Sequence, residues 1–247
     1  MTTAKLLAAA DEALIEAGFR TGGFDEAERL ARAAAASAER DEDHRGAAAA
    51  ATVLGYVLHS RNIMALMSGE KPDAADVELE REHFVRGLAG FDRLRDEAGI
   101  ARAAFGLGVY EQVLNEDWDA AMPYFRRAES LIPVLETAGD LYTRSEIHRH
   151  LGFYHLVEDR QTAVAVEHLK ISLELREQQG EPRRIPSGLV ALAWAERENG
   201  DPRRAVQLLR RAVETARELD LLPVRIADAE DALKRAEAAA RETETGL

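Results

Sequence analysis

His148, His150 and His155 fall close together, flanked by Glu146 and Glu158, and imidazole with carboxylate is the donor set of a divalent-metal site. Helical spacing argues against that chemistry. His148 and His155 are seven apart and share a face, His150 points elsewhere, and only Glu146 and His150 have the i,i+4 spacing that converges ligands. No metal site and no cofactor are expected. Gly106-Leu107-Gly108 is the nearest approach to a phosphate-cradling loop, but no strand precedes it and no third glycine follows at the needed spacing. These glycines read as packing positions. The chain has no His-Glu-x-x-His, no Gly-x-Ser-x-Gly and no P-loop. The carboxylates Glu78, Glu80 and Glu82, like Asp228 and Asp231, sit among arginines and read as solvated faces, so no acid–base pair stands apart. Cysteine is absent, which excludes disulfides, thiolate ligands and a cysteine nucleophile.

A different set of side chains recurs in register. Four Leu-small pairs, Leu54-Gly55, Leu107-Gly108, Leu151-Gly152 and Leu192-Ala193, anchor similar segments. One residue beyond each pair stand Tyr56, Val109, Phe153 and Trp194, and two beyond stand Val57, Tyr110, Tyr154 and Ala195. Counted from the small residue of each pair, His59 and Arg197 lie four beyond, Arg149 three before and Arg102 six before. Aromatic area beside arginine is the composition of a binding hot spot. The candidate ligand-binding residues are therefore Tyr56, His59, Arg102, Tyr110, Arg149, Phe153, Tyr154, Trp194 and Arg197. The bland alternative stays open: aromatics beside a packing glycine also suit an inter-helix core.

The elements that must position them are helical throughout. Ala, Leu, Glu and Arg dominate, and no run of alternating β-branched residues occurs. The pattern predicts helices over 3–17, 24–40, 43–67, 75–97, 100–115, 118–137, 140–158, 161–179, 186–198, 202–220 and 223–243. Pro133 should kink or end the helix it falls in. The last helix, with Val224, Ala227, Leu233 and Ala236 as an incomplete apolar stripe, would cap the array, and residues 244–247 would form a disordered tail. Residues 1–243 read as a single domain.

Tight polar turns recur as Gly22-Gly23-Phe24-Asp25, Asn115-Glu116-Asp117-Trp118, Glu158-Asp159-Arg160-Gln161 and Asn199-Gly200-Asp201-Pro202. Beyond three of them, Ala121, Phe125 and Ala128 match Ala165, Leu169 and Ser172, then Ala205, Leu209 and Ala212. A small residue lets the partner helix approach, and the large one four residues on fills the groove. These residues resemble the tetratricopeptide repeat (TPR) family, whose unit has a Leu-Gly pair in helix A and Ala, Phe and Ala positions in helix B. The unit Ser187–Leu222 fits best and Ala101–Pro133 well, although Gly108 to Gly152 spans 44 residues, longer than the family's period. The resemblance implies an all-α, right-handed α-solenoid of about five antiparallel helix pairs with a C-terminal capping helix. It also implies that helix A of each pair lines a concave groove, which would carry the aromatic and basic column.

Charge limits the partners. The chain carries 45 acidic against 32 basic residues, a net charge of −13, and such a field repels phosphate backbones. Direct nucleic-acid binding is not expected. No run approaches the ~18–20 apolar residues of a spanning helix, and Asp11 and Glu12 arrive too early for a signal-peptide core, so no membrane partner and a cytoplasmic location are expected. Only four of the basic residues are lysine, which with the alanine richness suggests a high-GC, bacterial genome. The expected function is non-catalytic: a protein-interaction module binding a peptide, protein segment or acidic ligand in the groove. A small-molecule sensor or enzyme with an enclosed pocket, and a structural homodimer subunit, are the competing readings.

Overall fold

The computed structural model describes residues 1–245, with side chains described as far as Arg241, and the described elements are all helical. Twelve α-helices succeed one another: α1 (Thr3–Glu16), α2 (Asp25–Arg40), α3 (His44–Met67), α4 (Ala74–Leu94), α5 (Glu97–Val113), α6 (Trp118–Ser130), α7 (Ile132–Thr137), α8 (Leu141–Val157), α9 (Thr162–Gln179), α10 (Ile185–Glu198), α11 (Pro202–Glu218) and α12 (Pro223–Thr245). A π-helical turn, Ala17–Thr21, comes after α1, and a 3-10 turn, Pro182–Arg184, precedes α10.

Aspartates set half of the twelve helix starts. Asp43, Asp73, Asp96, Asp117, Asp140 and Asp201 each accept a hydrogen bond from a backbone N–H in the first turn of the adjoining helix, satisfying an otherwise orphaned donor. Pro133, lacking an N–H, sits at the second position of α7, and the helix over 118–137 breaks at Leu131, the interruption expected of that proline. The boundary between the two preceding helices differs from expectation for a local reason. Arg95 turns left-handed at φ 55° and Asp96 caps α5, so α4 ends at Leu94 and α5 opens at Glu97. Helix α12 extends to Thr245, which takes in part of the expected tail; residues 246 and 247 lie outside the described residues.

The chain divides into two compact units, Met1–Ala138 and Gly139–Leu247. In the first, consecutive helices pack on one another, and α1 also touches α3, α3 touches α5, and α5 touches α7. Its centre is Phe84 of α4, fully buried between two glycines. A Cβ at Gly55 of α3 would lie 2.7 Å from the Phe84 ring, and one at Gly106 of α5 would overlap it. Gly106 is thus a packing glycine. Gly108 likewise receives Phe125 of α6, where a Cβ would stand 2.5 Å from the ring.

In the second unit α8 to α12 pack in sequence, with α8 also touching α10 and α10 touching α12. Leu169 of α9 faces Gly152 of α8, where a Cβ would stand 2.7 Å from its side chain. Leu173, Leu189, Leu192, Leu209 and Val213 complete the core together with Ala229 and Ala236 of α12. The apolar stripe of α12 is therefore shifted from the expected one: Ala229 is buried and Ala227 is exposed. No helix among the described residues is long and apolar enough to cross a membrane.

Candidate functional site

The aromatic and basic column falls partly in each unit. In the first, Tyr56 packs edge-on against Phe84 at 4.9 Å and donates its hydroxyl to the backbone carbonyl of Arg102 at 2.7 Å. Tyr110 is buried, and burial raises its hydroxyl pKa. His59 meets Glu80 at 2.8 Å. Glu80 is 0% exposed and also accepts from Asn62 at 2.8 Å, so it is an interior carboxylate and not part of a solvated face. These four candidates are held by the interior of α3, α4 and α5 through stacking, backbone and carboxylate contacts.

In the second unit Arg149 and Phe153 of α8 and Trp194 and Arg197 of α10 line one cavity of about 410 Å3. Ser187, Val190 and Leu209 add to its walls, and α12 contributes Asp228, Ala232 and Arg235. Tyr154 points elsewhere, packing edge-on to His155 at 5.5 Å. Phe153 and Trp194 meet with ring centroids 5.9 Å apart, and Trp194 remains 41% exposed. An indole partly open to solvent beside another ring is a platform for a further flat or apolar group. The Arg149 guanidinium lies 4.7 Å from the centre of the Phe153 ring, a cation–π contact. Its Nε is buried without a hydrogen bond, and no hydrogen bond or close ion pair engages Arg149 among the described residues. Arg197 bonds its sequence neighbour Glu198 at 2.7 Å, and both members of that pair stay wet enough for exchange.

Behind Arg149 lies a cluster of further charged groups. Arg176 of α9 is buried; it donates to Glu146, to the Ser187 hydroxyl at 2.9 Å and to the Arg184 carbonyl at 2.8 Å. Burial disfavours the charge on Glu146, but Arg176 foremost, then Arg149, His150 and Arg184, bring its carboxyl down to about 2. Arg184 stacks over the Tyr142 ring at 3.8 Å. Burial, reinforced by Arg176, pulls the Arg149 guanidinium down to about 10, against the pull of Glu146, Tyr142 and Asp228. Arg225 of α12 is also brought to about 10, by burial and by Arg149. Glu146, Asp228 and Glu181 lie among Arg149, Arg176, Arg183, Arg184 and Arg225, and Glu181 is held by both Nε and Nη2 of Arg183.

Sequence reasoning missed most of that cluster. Arg176 is hidden in a charged helix, and Asp228, Arg225 and Arg235 lie on the helix read as a cap. Glu146, a metal-ligand candidate by its spacing, is instead the partner of a buried arginine. His148 and His155 share a face as the spacing requires, and His168 of α9 joins them. The Nδ1 atoms of His148 and His168 lie 3.0 Å apart, and His155 stacks on His168 at 5.4 Å. Burial, then His168 and Arg144, hold the His148 imidazole down at about 4. Among the described residues no group of three or more histidine, cysteine or carboxylate side chains is placed to hold a metal ion. No protein-family model and no curated protein matches the chain.

Proposed function

We propose that the chain is a binding protein with TPR-like helix pairs, and that the α8–α10–α12 cavity takes an acidic peptide or protein segment bearing an aromatic or apolar group. The carrying observation is Arg149: a cation without a hydrogen bond, set on an aromatic ring, at the wall of a cavity that also presents Trp194 and Arg197. A volume of about 410 Å3 suits one or two side chains of such a segment. The aromatic platform supplies apolar area, and the arginines supply charge-assisted hydrogen bonds to carboxylates. The TPR-like reading is supported within each unit by the alternate-helix contacts, and by Gly108 and Gly152 receiving Phe125 and Leu169 as the repeat spacing requires.

The test exploits two tryptophans. In a Trp118→Phe background, Trp194 fluorescence reports on the cavity while acidic, aromatic-containing peptides are titrated against basic peptides of equal length. Saturable quenching by the acidic set is expected, weakened about tenfold or more by Arg149→Ala with Arg197→Ala, since each charge-assisted bond is among the stronger ones. Quenching indifferent to both substitutions, or equal for the basic set, overturns the reading.

A further inference from the structure

Asp228 shares the cavity with Arg149 and changes what the cavity can accept. Contacts between α8 and α10 fix where each group stands. Arg176 reaches both Glu146 and Ser187, and seven residues further along each helix Phe153 meets Trp194, so α8 and α10 run in the same direction. Arg149 therefore lies toward the Ser187 end of the cavity, and Arg197 lies beyond Trp194 at the other. On α12, Asp228, Ala232 and Arg235 follow one another at helical spacing, and all three line the cavity. Asp228 belongs to the Arg149 end, because its charge acts on Arg149. Arg235 stands two turns on, about 10 Å further along the axis. One end of the cavity is thus mixed, a guanidinium with a carboxylate, and the other is cationic.

Arg149 and Asp228 do not serve each other. No hydrogen bond or ion pair joins them among the described residues, and the Arg149 Nε stays unbonded. A lone carboxylate entering at Arg149 would pair with the guanidinium but meet exposed Asp228 as a like charge. A carboxylate that brings a cation with it satisfies both groups. We propose that Asp228 is a specificity-determining residue, which receives a ligand ammonium held beside the carboxylate that Arg149 binds. The proposal rests on the cavity being the binding site and adds a cationic position to the acidic segment. An ammonium is a compact, strongly hydrated charge with three donors, and it suits a carboxylate that keeps contact with water. The order of groups along the ligand follows: ammonium and carboxylate at the Arg149 end, then the apolar or aromatic group against Phe153 and Trp194. Arg225, one turn before Asp228, also feels this carboxylate. A role confined to Arg225 would leave the protein indifferent to a cation on the ligand. The same chemistry comes from a lysine side chain in a peptide or from the α-amino group of a free amino acid.

The experiment uses the full chain and calorimetric titration. Three peptides of equal length carry glutamate and phenylalanine, and differ only in the residue beside the glutamate: lysine, norleucine or a second glutamate. Norleucine keeps most of the lysine stem and removes the charge. The lysine peptide should bind about fivefold more tightly than the norleucine peptide, as expected of an ion pair at a partly open site, and the doubly acidic peptide should bind most weakly. Asp228→Asn should make the lysine and norleucine peptides equal. Asp228→Lys should invert the order, so that the doubly acidic peptide binds more tightly than the lysine peptide, a gain that a misfolded variant could not give. Phenylalanine and N-acetylphenylalanine are titrated beside the peptides. Tighter binding of phenylalanine would assign the ammonium to an α-amino group, and a preference confined to the lysine peptide would assign it to a side chain; both support the role of Asp228. Equal affinities for the lysine and norleucine peptides together with equal affinities for the two phenylalanine probes, or a preference that survives Asp228→Asn, overturn it. If the peptides bind and Arg149→Met weakens them while no cation gives an advantage, only the role of Asp228 falls. If none of the probes binds, the cavity itself is misassigned and both readings fall.

Discussion

Replacing Glu146 by Gln tests the electrostatic account of the second unit at its centre. In the folded chain the Glu146 carboxyl titrates at about 2, whereas an unstructured glutamate titrates at 4.5. A depressed acid binds its proton less tightly in the folded state than in the unfolded one. Its contribution is therefore complete above pH 4.5 and is lost as pH falls from 4.5 toward 2. Two and a half units correspond to about 3 kcal/mol, the same order as the cost of removing one partner from a buried ion pair. Glutamine keeps the shape and removes the charge, leaving Arg176 facing a neutral group. Urea unfolding of the second unit, followed by Trp194 fluorescence in the Trp118→Phe background, should show the variant weaker by about 3 kcal/mol at pH 7. The gap should narrow steadily below pH 4.5 and approach zero near pH 2, while the other carboxylates titrate alike in both proteins. A gap that does not change with pH, or a variant as stable as the parent at pH 7, would refute the pairing.

Arg149→Met should stabilise the second unit. A guanidinium held at about 10 disfavours the fold at every pH below that value, and methionine keeps a flexible apolar side chain over Phe153. After the lost cation–π contact, a gain of roughly 1–2 kcal/mol in urea unfolding is expected, and a loss would contradict the unpaired-cation account. His148→Phe should remove an acid-sensitive step. The parent's imidazole, lowered to about 4, loses stability as pH falls from 6.5 to 4 because the unfolded chain protonates first. The variant's stability should be flatter across that window, and an unchanged slope sinks the assignment. Gly108→Ala sets a Cβ 2.5 Å from the Phe125 ring and should cost about 1–3 kcal/mol, whereas Gly23→Ala, with nothing within 4 Å, should change stability by less than about 0.5 kcal/mol. Glu80→Gln turns an amide NH2 toward one of the two donors, His59 or Asn62, and should cost about 1–3 kcal/mol by thermal unfolding; a neutral result would mean that one of those hydrogen bonds is absent.

The helices were legible because their causes are local. Aspartate caps, αL residues and Pro133 mark the ends, and alanine-rich registers fill the interiors. The role of Gly108 as a packing position was also readable, because no phosphate-loop context surrounds it, but that Phe125 fills the space beside it was not. Part of the cavity could be read from sequence spacing: Phe153 and Trp194 each stand one residue beyond a Leu-small pair, and both line it. What that spacing could not supply was α12, which carries no Leu-small pair, and which brings Asp228 and Arg235 to the cavity. The buried charges carry a signal of their own. Glu80 precedes Phe84, Gly87 and Phe91 at helical spacing, and Arg176 comes after Leu169 and Leu173 in the same way. A charged residue in step with an apolar row has its backbone aimed at the core, whatever its side chain prefers.

That rule separates the two units. Glu80, in the first, ends against an imidazole and an amide, and its two oxygens are satisfied by groups that carry no obligatory charge. Such a site is complete as it stands. The second unit puts Arg176 on its buried row, and Glu146, which accepts from it, also feels Arg149 and Arg184. Neither packing nor helix propensity requires a cation at 149, because the contact it makes with Phe153 is one that an uncharged side chain could make as well. Stability would improve without it, and the cavity would lose a lining cation whose Nε has no hydrogen bond. A residue that weakens the fold and opens on a cavity is better explained by what enters the cavity than by what surrounds it. Paired measurement decides the matter: Arg149→Met should raise stability and remove anion binding in the same protein, whereas a purely structural arginine would lower stability and leave binding as it was.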